Sequence, residues 1–264
     1  MGILQTMLAR PWVAKMARGT SDWIDLQWSI TVDSLTRIAP RARGRLLDVG
    51  CGDKPYEHLF TEYVTEYVGI EHEASFSATA AAGGRKKPDF LYDGNRLPFD
   101  DRTFDTVLSV QVLEHTPRPG PLMREMARVL KDDGLLIVTA PFQFRLHEEP
   151  HDYFRYSHHG LRELCREAGL EVVHVEQQGS LWSVLGHKLN SYLGLNVARL
   201  DGVAQAMGKL GHEDAASRPT RWWTLPAVAP TMAAVALGAR VLDRVAHDPQ
   251  EALGFLIVAR RVRP

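Results

Sequence analysis

Three carboxylates stand where apolar runs break off. Asp48 closes "RLL" ahead of Val-Gly50-Cys-Gly52, Glu71 follows "YVGI", and Asp93 follows "DFLY". An acid at the end of a buried strand can accept hydrogen bonds from a ligand's hydroxyl or amino groups. Gly50 and Gly52 let backbone approach that ligand at torsion angles other residues avoid. The turn is not a P-loop, because no Gly-Lys-Ser/Thr follows, and Pro55 stands where Gly-x-Gly-x-x-Gly requires its third glycine. Glu71, 23 positions after Asp48, is placed to accept both hydroxyls of a ribose. Asp93 can accept from an adenine amino group, and Asp48 suits an ammonium-bearing partner. The ligand so described has a ribose and an adenine but no pyrophosphate.

A second set of residues could act on an acceptor. Glu114 and His115 follow the apolar run Thr103–Gln111, and "RLHEEPHDYFRYSHH" supplies His147, Glu148, Glu149, His151, Asp152, His158 and His159. His115 or His151 could serve as a general base, with Tyr153, Arg155 and Tyr156 shaping the acceptor site. Alternatively, Glu114 and His115 only cap and orient the next helix. His158 and His159 read as solvated residues of a helix's first turn.

These residues need a frame that brings strand ends together. Short apolar runs at Arg45–Val49, Tyr63–Ile70, "DFLYD", Thr103–Gln111, "LLIVTAPF", "LEVVHVEQ" and Gly254–Val262 read as seven strands. Helical patterns lie between them. Leu122, Met126, Val129 and Leu130 share one face, with Gly134 expected as a left-handed cap. Ser157 is an expected N-cap ahead of Leu161, Leu164, Cys165 and Ala168. Alternating strands and helices predict a doubly wound, Rossmann-like α/β sheet, whose ligands bind at the carboxyl ends of the strands. The expected organisation is a helical N-terminal cap over 1–40, the sheet domain over 41–179 and 253–264, and a helical insertion over 180–252.

Composition narrows the partners. A net charge of -1 over 264 residues gives no global field for nucleic acid or an anionic membrane. "GGRKKP" alone is too small a basic surface to bind RNA. Two cysteines, Cys51 and Cys165, make neither a disulfide framework nor a zinc cluster, which fits a reducing cytoplasm. The uncharged run between Arg221 and Arg240 is Ala-rich and interrupted by Pro226 and Pro230, so the expectation is no transmembrane span. A lid or homodimer helix is expected instead, with an interfacial, membrane-peripheral helix meeting a lipid-linked acceptor as the other option.

Four stretches in order, "LLDVGCGDKPY", "YVGIEHEA", "YDGNRLPFDDRTFDTVLSVQVLEH" and "MARVLKDDGLLIVTAPF", resemble the class I S-adenosylmethionine-dependent methyltransferases. The ubiquinone-type (type 11) subgroup is the nearest match. The resemblance covers residues 44–176 and the final strand, and implies a seven-stranded sheet whose last strand runs antiparallel. It implies S-adenosylmethionine as cofactor, with Asp48, Gly50 and Gly52 around its methionine part and Glu71 on the ribose. Asp93 and Gly94 would flank the adenine, and the backbone of Val110 would line the pocket. Ubiquinone-type O-methyltransferases and plant small-RNA 2′-O-methyltransferases carry Glu-x-x-Glu-His at the position of Gln111-x-x-Glu114-His115. The resemblance therefore implies a divalent-metal site at Glu114, His115 and His151, here without the first carboxylate. The expected activity is methyl transfer to a hydroxyl oxygen of a small-molecule or glycan acceptor. The rivals are N- or C-methylation of a secondary metabolite, or a cofactor-binding protein that methylates nothing.

Overall fold

A computed structural model describes residues 22–80, 87–200 and 219–261. The start of the expected N-terminal cap, the glycine pair at 83–84 and part of the expected insertion lie outside the described residues.

Leu46, Leu47 and Val49 are buried because β1, Arg45–Val49, lies inside the sheet with a strand on either side. It pairs in parallel with β2, Glu66–His72, and with β4, Phe104–Val110. A strand covered on both faces has no use for alternation, and these strands read as continuous apolar runs. The short β3, Phe90–Tyr92, lies at the edge beside β2, and β5, Leu130–Pro141, pairs in parallel with β4. β7, Gly254–Arg261, runs antiparallel between β5 and β6, Leu170–Gln178. The sheet, in the order β3-β2-β1-β4-β5-β7-β6, has the seven strands and the antiparallel last strand that the family resemblance implies. Strand order reverses between β1 and β4, so their carboxyl ends flank the crevice that this topology leaves open.

The intervening helices cover the sheet. α1, Leu26–Ile38, precedes β1, and the short α2, Glu57–Phe60, lies between β1 and β2. α3, Glu73–Ala80, follows β2. α4, Pro119–Val129, starts on a proline, which needs no N–H there, and buries Leu122, Met123 and Met126. The expected Gly134 cap does not form. The helix stops at Val129, whose carbonyl accepts from Thr103 N, while Arg128 O accepts from Arg102 N. Leu130 then pairs with Phe104, so Lys131–Gly134 already belong to β5 and Gly134 keeps a negative φ. Strand pairing satisfies the carbonyls that a left-handed glycine would otherwise cap. α5, His158–Glu167, does use its expected cap, with Ser157 Oγ accepting from Gly160 N at 3.3 Å.

The chain divides into two compact units, one of residues 32–178 and 252–264 and one of residues 1–31 and 179–251. The first holds the sheet. In the second, α6, Leu181–Tyr192, and α7, Leu225–Val245, form an antiparallel pair. Gly186 permits the close approach, since a Cβ there would meet Ala239 and Leu26 at 2.9 Å. Asp243, near the end of α7, accepts from the backbone N–H groups of Ser180, Trp182 and Ser183 and so caps the start of α6. Arg240 bonds Ser29 Oγ and the Trp23 carbonyl and lies over the Trp23 ring.

Candidate functional site

The turn after β1 is built to receive a ligand's backbone-facing side. Gly50 and Gly52 both take positive φ, +75° and +52°. A Cβ on Gly50 would run into the methyls of Val112, whereas Gly52 has open space where a side chain would be. Asp48 is buried at the end of β1 and accepts a 2.6 Å hydrogen bond from Tyr67 Oη on β2. Burial pushes its carboxyl up to about 7, against the lowering effect of that bond. A buried acid held near neutrality gains most from an incoming cation. Glu71, at the end of β2, receives Gly52 N at 2.8 Å and His72 N at 2.9 Å, and burial raises its pKa as well. Each of its oxygens keeps a free lone-pair direction for a ribose hydroxyl. These features fit the cofactor implied by the sequence: a cationic amino acid part near Asp48, a diol at Glu71, and a glycine turn with room beside it.

Asp93 sits differently. It is exposed, and its carboxylate accepts from Asn95 N at 2.9 Å and Asn95 Nδ2 at 3.0 Å, bonds that hold its pKa down. Gly94 has φ +83°, and a Cβ there would meet His72 Nε2 at 2.7 Å. At the end of β4, Val110 is buried and Gln111 takes a φ of 56°, uncommon for a residue with a side chain. Gln111 Nε2 donates to Thr139 Oγ1 at 3.1 Å.

Beyond β4 the chain turns through Leu113–His115, placing Glu114 inward and fully buried. Among the described residues neither carboxylate oxygen has a hydrogen-bond partner. Burial pushes the group up to about 8. The Nε2 of His115 lies 3.9 Å from Glu114 Oε1. Its Nδ1 is 2.8 Å from the carbonyl of His151, an acceptor, so the ring proton belongs on Nδ1 and the lone pair on Nε2. His147 packs edge-on against His115 with centroids 4.6 Å apart. Its Nδ1 lies 3.3 Å from the Arg145 carbonyl and 3.3 Å from Asp152 Oδ2, which assigns the same tautomer. Burial, with His115 beside it, lowers its pKa to about 4. One atom from each of Glu114, His115 and His147 lies within 4.8 Å of the others. Two imidazoles and one carboxylate make a donor set that suits a divalent ion.

The sequence reading put His151 in this cluster, and the structure brings His147 instead. His151 is exposed; its carbonyl meets His115, while its ring Nδ1 faces Tyr153 Oη at 3.1 Å. Tyr153 is exposed and its N–H donates to the Glu114 carbonyl. Arg155 is a scaffold residue. Its five N–H groups are all engaged, by the two oxygens of Asp152 and the carbonyls of Phe144, Arg145 and Phe154. Burial would raise the Asp152 carboxyl, but the bonds from Arg155 and from His147 N hold it down at about 2. The sequence reading named Asp152 among the loop's titratable groups without giving it a role, and it did not select Tyr67. The only signal for Asp152 was its place in a loop rich in titratable groups, and nothing local marks Tyr67.

Comparison with known proteins bears on the domain and its fold. Residues 47–138 match the family model described as methyltransferase domain. An uncharacterised methyltransferase of Mycobacterium tuberculosis is 36% identical over 106 residues, covering 39% of this chain and 42% of that protein. The chain thus matches less than half the length of these curated relatives. A chain from a complex of the Trm112 methyltransferase activator with a methyltransferase, from Haloferax volcanii, superposes with TM-score 0.53 and 18% identity, covering 95% of this chain and 96% of that one. An S-adenosylmethionine-dependent methyltransferase from Mesorhizobium loti superposes with TM-score 0.50 and 15% identity, over 89% and 98%. At such identities the structural likeness speaks to the fold.

Proposed function

We propose that this chain, which matches a methyltransferase-domain family over residues 47–138 and resembles the type 11 group of class I methyltransferases, transfers a methyl group from S-adenosylmethionine to a hydroxyl oxygen of a small-molecule or glycan acceptor. The observation that carries cofactor use is the pair of strand-end acids, buried Asp48 and half-buried Glu71, on either side of the open turn at Gly52. The cofactor supplies a methyl already activated by its sulfonium. What remains for the protein is alignment, removal of the acceptor's proton and exclusion of water. Asp48 would hold the ammonium end, Glu71 the ribose hydroxyls, and Asp93 would reach the adenine only after exchanging its bonds to Asn95.

The unpartnered Glu114 favours a divalent ion over a simple base. A fully buried carboxylate without a hydrogen bond is costly unless a cation accompanies it. Glu114, His115 and His147 would hold that ion. Bound there, it would lower the pKa of an acceptor hydroxyl and favour acceptors with two adjacent oxygens. His115 and His147 already carry their protons on Nδ1, turned away from the cluster, so neither must rearrange to ligate.

Calorimetry with S-adenosylmethionine tests the first part: no heat sinks the cofactor reading. Methyl transfer to a panel of catechol, sugar-hydroxyl and amine acceptors, with chelator and with Mg²⁺ or Mn²⁺ restored, tests the second. Full turnover in chelator assigns His115 or His147 as a base instead. Transfer to amines alone replaces oxygen by nitrogen.

A further inference from the structure

One helical segment among the described residues, Trp222–Val245, is long and apolar enough to cross a membrane by length and composition. Its outer side is bare. Trp223 is 78% exposed, Leu237 54% and Val241 48%. On its antiparallel partner α6, Leu185, Leu189 and Tyr192 recur at helical spacing and are each about half exposed, at 49%, 46% and 58%. The inner sides of the same two helices are occupied by Val184, Val228, Ala236 and Ala239. Two apolar stripes on a packed helix pair, left without cover among the described residues, are more apolar surface than single scattered residues account for.

Charge identifies the occupant. From Trp182 to Leu200 the chain carries Lys188 and Arg199 and no acid. From Arg218 to Leu242 it carries Arg218, Arg221 and Arg240 and no acid. Lys188 is itself exposed, between Leu185 and Leu189 on the bare side of α6. A second copy of this chain would set cations against cations, because a two-fold contact pairs a surface with itself. An anionic lipid surface instead meets apolar and basic groups together, with tryptophan at the headgroup level.

Spanning is disfavoured by the partner helix. α6 has 12 residues and runs on into a π-helical turn of 5, Leu193–Val197, together about 25 Å at ~1.5 Å per residue, short of the ~30 Å hydrocarbon core. It carries His187, Lys188, Asn190 and Ser191, and Asn190 Nδ2 donates to the Met232 carbonyl of α7 at 3.0 Å. The pair is tied at its other end by Asp243 on the start of α6.

We propose that the bare side of α6 and α7 docks on the surface of an anionic phospholipid bilayer, making this a peripheral membrane protein. The proposal is independent of which acceptor is methylated. The test is flotation of the full chain with phosphatidylcholine vesicles, with and without phosphatidylglycerol. The expected result is co-flotation with the anionic vesicles only, reversed by high salt. Trp223→Ser combined with Leu237→Ser should weaken binding at least tenfold with an unchanged circular-dichroism melt. Lys188→Glu, a solvent-facing change, should weaken it severalfold and only on anionic vesicles. No co-flotation, or equal binding by these variants, overturns the proposal. So does a wild-type dimer in light scattering that the serine variant dissolves without any vesicle binding, or a protein released from membranes only by detergent.

Discussion

The Nε2 of His115 stands 3.9 Å from Oε1 of Glu114, an oxygen that nothing else in the described structure bonds. The two residues are neighbours in sequence, yet one is fully buried and the other half-buried. The 3-10 turn Leu113–His115 is what separates them: it drives Glu114 under the loop while His115 looks across to His147.

Glu114 links stability to pH. The unfolded chain releases this proton near the ordinary value of 4.5, and the native chain holds it to about 8. Between those values the native state binds more protons, so this group makes stability fall as pH rises through the window. Glu114→Gln should flatten that decline and raise Tm at pH 8 by several degrees. In the wild type, Mn²⁺ should raise Tm more at pH 8 than at pH 6, because the ion displaces the proton, and the glutamine variant should lose that response. Thermal melts across pH, with and without Mn²⁺, check both. An Mn²⁺ response that survives in Glu114→Gln removes this carboxylate from any ion site.

The histidines should separate by position. His115→Ala and His147→Ala are each expected to lower turnover at least tenfold, about 1.4 kcal/mol of barrier, with cofactor affinity nearly unchanged. His151→Ala should cost less, since its contribution to the cluster is a backbone carbonyl that alanine retains. Single-turnover rates on the three variants test this ranking, and an intact His147→Ala would return the cluster to the scaffold.

At the other end of the site, Glu71→Ala should weaken S-adenosylmethionine binding by about 1–3 kcal/mol, the usual loss for a charged hydrogen-bond acceptor. Gly50→Val should abolish binding more completely. A valine must adopt φ +75° and also displace Val112, two costs in the same turn. Isothermal titration reads both, and a circular-dichroism melt shows whether Gly50→Val still folds. Normal affinity in a folded Gly50→Val would move the cofactor away from this turn.

Arg155 should act through Asp152 and His147 rather than on the acceptor. Arg155→Lys keeps the charge but cannot reproduce five directed donors. The expectation is a several-fold fall in kcat with an unchanged acceptor KM, and a weaker Mn²⁺ effect on Tm. A rise in acceptor KM at constant kcat would place the guanidinium in the acceptor pocket after all.

The strand ends were readable in the sequence because they obey local rules. A central strand covered on both faces must be apolar throughout, and a tight turn beside a ligand must use glycine. The strand runs, and Gly50 and Gly52 beyond the first of them, follow from those two demands, and Asp48 and Glu71 stand where the runs break off; the spatial order of the strands comes from the tertiary structure. Ser157 was readable as a cap for the same reason, since the bond to Gly160 N spans three residues. The sequence pattern failed where partners come from afar. Whether Gly134 caps a helix depends on Thr103 and Phe104, which claim Val129 and Leu130 from another strand. Asp93 ends an apolar run as Asp48 does, but its edge strand leaves it in solvent. His147 and His151 are equivalent by type and differ only in which way the loop turns them. That choice rests on Arg155 clamping Asp152 and three carbonyls at once, a set of contacts that exists only once the loop has closed on itself.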